Sequence, residues 1–467
     1  MSTADTIAAI ATPIGTSGIG VIRISGPQAL DVADKVFRTK RDSVKTFPSH
    51  TAHHGKLVNP STGEPIDDIV LTVFRAPRSY TGEDVVELSC HGGIAVLKTA
   101  LNAVLQSGAR LAEPGEFTKR AFLNGKIDLA QAEAVNDLIR AKTDKARRVA
   151  LSQLDGALSL QVRAARDRIL GVLAAVEAAI DFPEDVDEPD PCWLESEITS
   201  VRCALGKLMQ TFSTGRIYRE GVRVVITGRV NVGKSSLLNA LLRHARAIVT
   251  PIPGTTRDVI EECLEIKGIP IVAIDTAGLR PTQDPVEQIG VELAQRTLQS
   301  ADLALLVIDA SQGVLDTDAE ILRQLEGRPA VVVVNKIDLV PPEEHSLIVD
   351  ECRQKLGPQL PVVLTSALGG LGIEDLENTI ADVVEIAGIS DAAAGETAVV
   401  SNIRHQQALG SALDSLDQAL ATLRSRRPID LLSVDLTAAR DALGLITGET
   451  ATEDLLERIF SEFCIGK

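Results

Sequence analysis

No two of the six cysteines stand at a paired short spacing. Cys90, Cys192, Cys203, Cys263, Cys352 and Cys464 are scattered, so neither a zinc site nor a disulfide framework is suggested and reduced thiols are expected. No apolar run reaches membrane-spanning length, and Met1-Ser2-Thr3-Ala4-Asp5 lacks the basic leader of a targeting segment. A cytoplasmic protein with no membrane partner is the expectation. Repeats and low-complexity tracts are missing too. Positive charge is scarce: 47 Lys and Arg stand against 64 Asp and Glu, a net charge of -17. That balance argues against capturing nucleic acid by charge alone, which needs concentrated cations to release phosphate counterions. The local exception is Arg140, Lys142, Lys145, Arg147 and Arg148. On a helix these spread over more than one face, so a solvated surface is preferred to an RNA patch.

At 467 residues the chain has room for two to four domains, each with its own core. Residues 1–125 mix short β-like runs (Ile7 to Ile10, Gly20 to Ile24, Ile69 to Phe74, Val85 to Leu88) with Gly, Pro and Ser clusters, which predicts an α+β domain. Between Pro114 and Pro183 there is no proline, and runs such as Leu129 to Ile139 have helical apolar spacing. Residues 126–217 therefore read as helical, interrupted by the acidic, proline-containing stretch Asp181 to Pro191. Residues 218–386 alternate strands and helices, the pattern of a mainly parallel α/β sheet. The helical pattern returns over 387–467, which predicts a nucleotide-binding domain inserted into an all-α domain.

What fills the inserted segment is specific. The apolar run Val222 to Ile226 leads into Gly228-Arg229-Val230-Asn231-Val232-Gly233-Lys234-Ser235, and Ser236 and Leu237 begin a helix-like stretch. Strand, glycine loop and helix is the setting of a phosphate-binding loop. Gly228 and Gly233 let backbone N–H groups turn towards phosphate oxygens, assisted by the positive end of the helix. Lys234 brings a cation to the β/γ oxygens, and Ser235 a hydroxyl for Mg²⁺. Downstream, the strand Val272 to Ile274 ends in Asp275-Thr276-Ala277-Gly278, where the Asp can reach Mg²⁺ through water and Gly278 can offer an N–H to a γ-phosphate. Asn335-Lys336-Ile337-Asp338 follows another strand, and its carboxylate can accept two hydrogen bonds from guanine that adenine cannot make. Ser366-Ala367-Leu368 closes over the base. Together these segments predict GTP binding.

Leu279 stands where many small GTPases carry a water-orienting glutamine, so catalysis must use another residue, an ion, or both. Asn231 could coordinate a monovalent cation at the place an arginine finger takes elsewhere, although asparagine also suits a tight turn. Thr250-Pro251-Ile252-Pro253-Gly254-Thr255-Thr256 forms a glycine-hinged loop in which Thr256 can ligate Mg²⁺ and nearby carbonyls can complete a cation cage.

The chain resembles the tRNA modification GTPase family MnmE, also called TrmE, over essentially its full length. Beyond the generic GTPase set, the resemblance rests on five further segments: Asp5 to Pro13, Thr81-Gly82-Glu83-Asp84-Val85-Val86-Glu87-Leu88, Glu113 to Asn124, Gly254-Thr255-Thr256-Arg257-Asp258, and the terminal Phe463-Cys464-Ile465-Gly466-Lys467. It implies an N-terminal domain that dimerises and binds a tetrahydrofolate derivative (5-formyl or 5,10-methylene), with contacts on Arg23, Glu87, Lys126 and Lys467. It further implies a homodimer that works with a FAD-containing MnmG (GidA) type partner in a heterotetramer or larger assembly, the FAD belonging to the partner. The product is a carboxymethylaminomethyl-type group on C5 of the wobble uridine of certain tRNAs. By the same resemblance, hydrolysis requires K⁺-dependent pairing of GTPase domains. The K⁺ ligands map to Asn231, Thr250, Ile252 and Thr255, the Mg²⁺ ligands to Ser235 and Thr256, and the water-orienting residue to Glu287. Asp284-Pro285 departs from the pattern just before it and stiffens the segment that brings Glu287 inward.

Cys464 stays open between a thiolate acting on uridine C6 or in one-carbon transfer and a small residue in a packed terminus. The competing reading is a regulatory GTPase switch in ribosome assembly without covalent RNA chemistry. A small-molecule kinase is disfavoured by Asn335 and Asp338.

Overall fold

The computed structural model of the chain describes residues 5–39, 43–247, 261–275, 301–325, 327–386 and 398–467. Two compact units result, Met1–Asn136 with Arg440–Lys467, and Asp137–Ala439.

In the first unit, strands β1 (Ile7–Ile10), β2 (Ser17–Ser25), β3 (Phe37–Arg38), β4 (Thr51–Val58), β5 (Pro65–Phe74), β6 (Val85–Gly92) and β7 (Arg110–Leu111) form a sheet of order β3-β4-β5-β6-β2-β1-β7. All the pairings are antiparallel except β1 with β7. The period-2 alternation in β5 buries Ile69, Leu71 and Val73, and that in β2 buries Ile22 and Ile24. Helices Ala29–Val36 and Ile94–Gln106 lay their apolar stripes (Val32, Val36, Leu97, Val104) on the same face. Beside this core, Arg110 and Arg120 share the carboxylates of Asp5 and Glu116, and Arg120 also reaches Glu83.

By its contacts the C-terminal segment Arg440–Lys467 clusters with this unit. Phe460 and Phe463, at the end of the helix Glu453–Ser461, pack with Leu129 and Ala132. Ile465 forms an isolated antiparallel bridge with Pro114, and Arg23 donates to the Gly466 carbonyl at 3.3 Å. These contacts hold the tail against β2.

In the second unit, helices Asp144–Leu154, Ala157–Asp181, Pro191–Gln210 and Ile403–Arg424 make the helical part. The acidic interruption falls between the second and third, where Asp190 caps the third helix by accepting from Cys192 N and Pro191 takes the first turn. Helix Phe212–Glu220 then runs through Gly221 alone into a sheet built from β8 (Val222–Thr227), β9 (Arg246–Ala247), β10 (Glu261–Ile266), β11 (Ile269–Asp275), β12 (Leu303–Asp309), β13 (Ala330–Asn335) and β14 (Val362–Leu364). Its order is β14-β13-β12-β8-β11-β10-β9, parallel from β14 to β11. β12 and β13 are buried along their whole length, as strands covered on both faces must be. The antiparallel edge, β10 against β11 and β9, is a feature that apolar runs alone do not distinguish from more parallel sheet.

Candidate functional site: a nucleotide cradle and a cationic cluster

The nucleotide cradle lies at the carboxyl ends of β8, β12 and β13. Gly228 leaves β8 with a φ of +140°, and a Cβ there would stand 2.3 Å from the Val307 carbonyl. Gly233 has a φ of +98°, and its Cβ would stand 2.3 Å from Asn335 Nδ2. Both positions demand glycine for conformation and for space. Asn231, at a φ of +63°, takes the left-handed turn between them.

The carbonyls of this loop are tied to protein. Lys234 Nζ donates to Gly228 O (2.9 Å) and Arg229 O (2.8 Å), Lys336 Nζ to Asn231 O (2.7 Å), and Asn335 Nδ2 to Val232 O (3.0 Å). Across a planar trans peptide the next N–H points opposite to the carbonyl. The amides of residues 229, 230, 232 and 233 are therefore turned away from those partners, as an anion-binding nest requires. Helix Lys234–His244 starts there and adds its N-terminal field; Ser235 and Ser236 are exposed in its first turn.

Asn335 is 1 % exposed. Its Nδ2 holds Val232, while its Oδ1 accepts from Ala367 N at 3.0 Å. Its amide therefore fastens the 366–368 loop to the phosphate loop. Ser366 Oγ hydrogen-bonds Asp338 Oδ1, which orients an exposed carboxylate beside the loop. Leu368 is 90 % exposed, an apolar side chain left open to solvent. Asp275 ends β11, in parallel register with Ile226 of β8. Thr250, Pro251, Ile252, Pro253, Gly254, Thr255, Thr256, Thr276, Ala277, Gly278 and Glu287 lie outside the described residues.

The second cluster is in the first unit. Arg23 on β2 faces Glu87 on β6, its directly opposite partner in register, with 2.8 Å from guanidinium to carboxylate. The guanidinium carbon stands 5.4 Å from the Tyr80 ring centre and 5.7 Å from that of Phe117. Burial, and then the charge of Arg23, push the Lys467 ammonium below the ordinary lysine range, against the opposing pull of Glu87 and Cys464. Arg23, Glu87 and Lys467 thus come together from distant parts of the chain. Lys126 lies across Gly82 and donates to Pro77 O at 3.1 Å, on the loop that also carries Tyr80. Cys464 is exposed, and its carbonyl accepts from Gly115 N and Lys467 N. Sequence reasoning missed Tyr80 and Phe117, whose stacking on Arg23 has no local signature.

Several members of the basic cluster 140–148 have partners within the protein. Arg147 and Arg148 pair with Asp144, Lys145 stands 5.6 Å from the Tyr218 ring centre, and Lys142 donates to Cys263 Sγ. Among the described residues no helix is long and apolar enough to cross a membrane, and no cluster of His, Cys, Asp and Glu could hold a metal ion.

Comparison with known proteins gives matches over nearly the whole chain. Residues 6–126 match the family model described as the GTP-binding protein TrmE N-terminus, and residues 129–464 that of the MnmE helical domain. The tRNA modification GTPase MnmE of Acetivibrio thermocellus is 46% identical over 464 residues, covering 99% of each chain. That of Geobacillus kaustophilus is 48% identical over 470 residues, 100% of each, and that of Carboxydothermus hydrogenoformans 47% identical over 466 residues, 99% of each.

Proposed function

The chain belongs to the tRNA modification GTPase MnmE family, and from that premise we propose that it hydrolyses GTP in the course of modifying the wobble uridine of certain tRNAs. The full reading is installation of a carboxymethylaminomethyl-type group on C5, with a one-carbon unit drawn from a tetrahydrofolate derivative. A homodimer of this chain acts with a FAD-containing MnmG-type partner. The observation that carries the reading is the coexistence of a guanine-nucleotide cradle and the Arg23–Glu87 cluster closed by the Cys464 to Lys467 tail. A regulatory switch has a use for the first and none for the second.

On the nucleotide side, the amides of 229, 230, 232 and 233 and the Lys234 ammonium bind phosphate oxygens, and Asp338 selects guanine. Ser235 and Thr256 would hold Mg²⁺; Asn231, Thr250, Ile252 and Thr255 would hold K⁺. These ions supply charge neutralisation along the phosphates. The residues suit them: Ser235 offers an exposed hydroxyl at a helix start, and Asn231 is an exposed amide held in the loop by its own carbonyl. Glu287 orients water in place of Leu279.

On the folate side, Arg23 and Lys467 suit glutamyl carboxylates, Glu87 suits pterin N–H groups, and the half-buried Tyr80 ring offers an apolar face. Calorimetry with 5-formyltetrahydrofolate should show binding by the intact protein. Arg23→Ala should weaken it about tenfold to a hundredfold, the worth of one or two charge-assisted contacts. Equal affinity in the variant would remove Arg23 from the site.

The function as a whole is tested by nucleoside analysis of tRNA from cells lacking this protein. The modified wobble uridine should vanish and return when the intact chain is restored. An unchanged nucleoside profile would leave the switch reading in its place.

A further inference from the structure

Arg229, the second residue of the phosphate loop, is spoken for on the protein side. Its side chain is 14 % exposed, and the guanidinium donates from Nε to Asp318 Oδ1 at 3.0 Å, from Nη1 to Gln312 Oε1 at 2.7 Å, and from Nη2 to Gly313 O at 3.1 Å. The Asp318 side chain is 0 % exposed, and its other oxygen accepts from Leu315 N at 3.0 Å, at the start of the helix Asp316–Gln324. A fully buried carboxylate is tolerated only with a counter-charge and hydrogen bonds, and Arg229 is the counter-charge here.

The same segment takes hold of the loop a second time. Asp309, at the end of β12 and 2 % exposed, accepts from Lys336 Nζ at 2.7 Å, and that ammonium also donates to Asn231 O at 2.7 Å. Burial by itself would raise the Asp309 pKa, but hydrogen bonds from Lys336 and Ser311 outweigh it and hold the group below its ordinary value. The turn between the two carboxylates is closed by Gln312 N donating to Asp309 O at 3.1 Å. Loop residues 229 and 231 are thus both fixed to the connection 309–318, one directly and one through Lys336.

We propose that this connection is a brace for the phosphate loop, and that Arg229 and Asp318 are positioning residues that set the loop's amides for the β-phosphate of a guanine nucleotide. The inference rests on the GTP reading of the cradle. The loop has no regular secondary structure between β8 and Lys234, so the direction of each amide depends on what holds the neighbouring carbonyls and side chains. Lys234, Lys336 and Asn335 hold the carbonyls. Arg229 adds a side-chain hold on the entry end, where Lys234 holds the carbonyls of Gly228 and Arg229. Because the β-phosphate is common to both nucleotides, loosening the entry end should weaken GDP and GTP alike.

The test uses the intact protein and fluorescent N-methylanthraniloyl GDP and GTP. The double variant Arg229→Met with Asp318→Asn removes both charges together and keeps an oxygen for Leu315 N, so no buried charge is left alone. It should release both nucleotides about tenfold faster or more, the scale of one lost charge-assisted contact. Arg229→Lys keeps a cation near Asp318 but loses the planar fork to Gln312 and Gly313, and it should fall between. Melting curves without nucleotide establish that the variants are folded at the assay temperature. Wild-type release rates in a folded double variant would overturn the proposal, and should the double variant not fold, wild-type rates in folded Arg229→Lys would do the same. A wild-type protein that binds neither nucleotide would instead overturn the GTP reading itself.

Discussion

Asp338→Asn should convert a guanine-nucleotide site into a xanthine-nucleotide site. A carboxylate accepts from both the N1–H and the exocyclic amine of guanine; an amide has one acceptor oxygen and sets its NH₂ against the other donor. Losing two charge-assisted bonds at about 1.5–3 kcal/mol each, GTP should bind about 10²- to 10⁴-fold more weakly. Xanthosine triphosphate, with oxygen at C2, should gain what GTP loses. The Ser366 hydroxyl that orients Asp338 can serve an amide equally well, so the variant should fold normally. Competition between the two triphosphates for a fluorescent analogue reads the switch directly. An unchanged preference for GTP would mean that guanine is selected by something other than this carboxylate.

Hydrolysis should depend on K⁺ and on Glu287. Asn231 stands in the loop where a monovalent cation would offset charge developing between the β- and γ-phosphates, and Leu279 has no group with which to orient water. Replacing K⁺ by the smaller Na⁺ at saturating Mg²⁺ and GTP should cost about a hundredfold in turnover, on the scale of removing a preorganised electrostatic contact. Glu287→Ala should lower kcat by about 10²- to 10⁴-fold with GTP affinity nearly unchanged, the signature of a group engaged chiefly in the transition state. In a reconstituted reaction with the FAD-containing partner, that variant should bind GTP yet fail to modify tRNA. Equal turnover in the two salts would exclude the cation. Wild-type modification by the Glu287 variant would show that hydrolysis is uncoupled from the RNA chemistry.

What could be read from the sequence was what is contiguous. The phosphate loop and the Asn335 to Asp338 segment each declare themselves within eight residues, because a turn that cradles phosphate or a carboxylate that reads guanine needs its atoms in one short piece of backbone. The buried strand β13 that leads into Asn335 was equally plain as an unbroken apolar run. Contacts between distant segments were legible only through resemblance, as with Arg23, Glu87 and Lys467, or not at all. Tyr80 and Phe117 against Arg23, and Asp318 against Arg229, pair residues whose separations follow no helical or strand period. The return of the C-terminal helix to the first unit was hidden for the same reason. Its amphipathic stripe specifies that it packs, and says nothing of which core receives it. The antiparallel edge β9–β10 escaped because period-2 alternation is weak in so short a pair of strands.

The first unit draws on both early and late parts of the chain, and that imposes an order in time. Residues 137–439 separate its two pieces. During synthesis at about 5–20 residues per second, the early strands emerge about 15 to 60 s before the helix and tail that complete them. Through that interval the side chains that end against Phe460 and Phe463 lack that half of their cluster, and Arg23 has no Gly466 carbonyl. The ribosome-bound chain therefore holds an open hydrophobic seam beside an unfinished cluster of charges. A one-carbon ligand of the kind proposed would find its Lys467 only once residues 440–467 have joined the early strands, so ligand capture waits on completion of the unit.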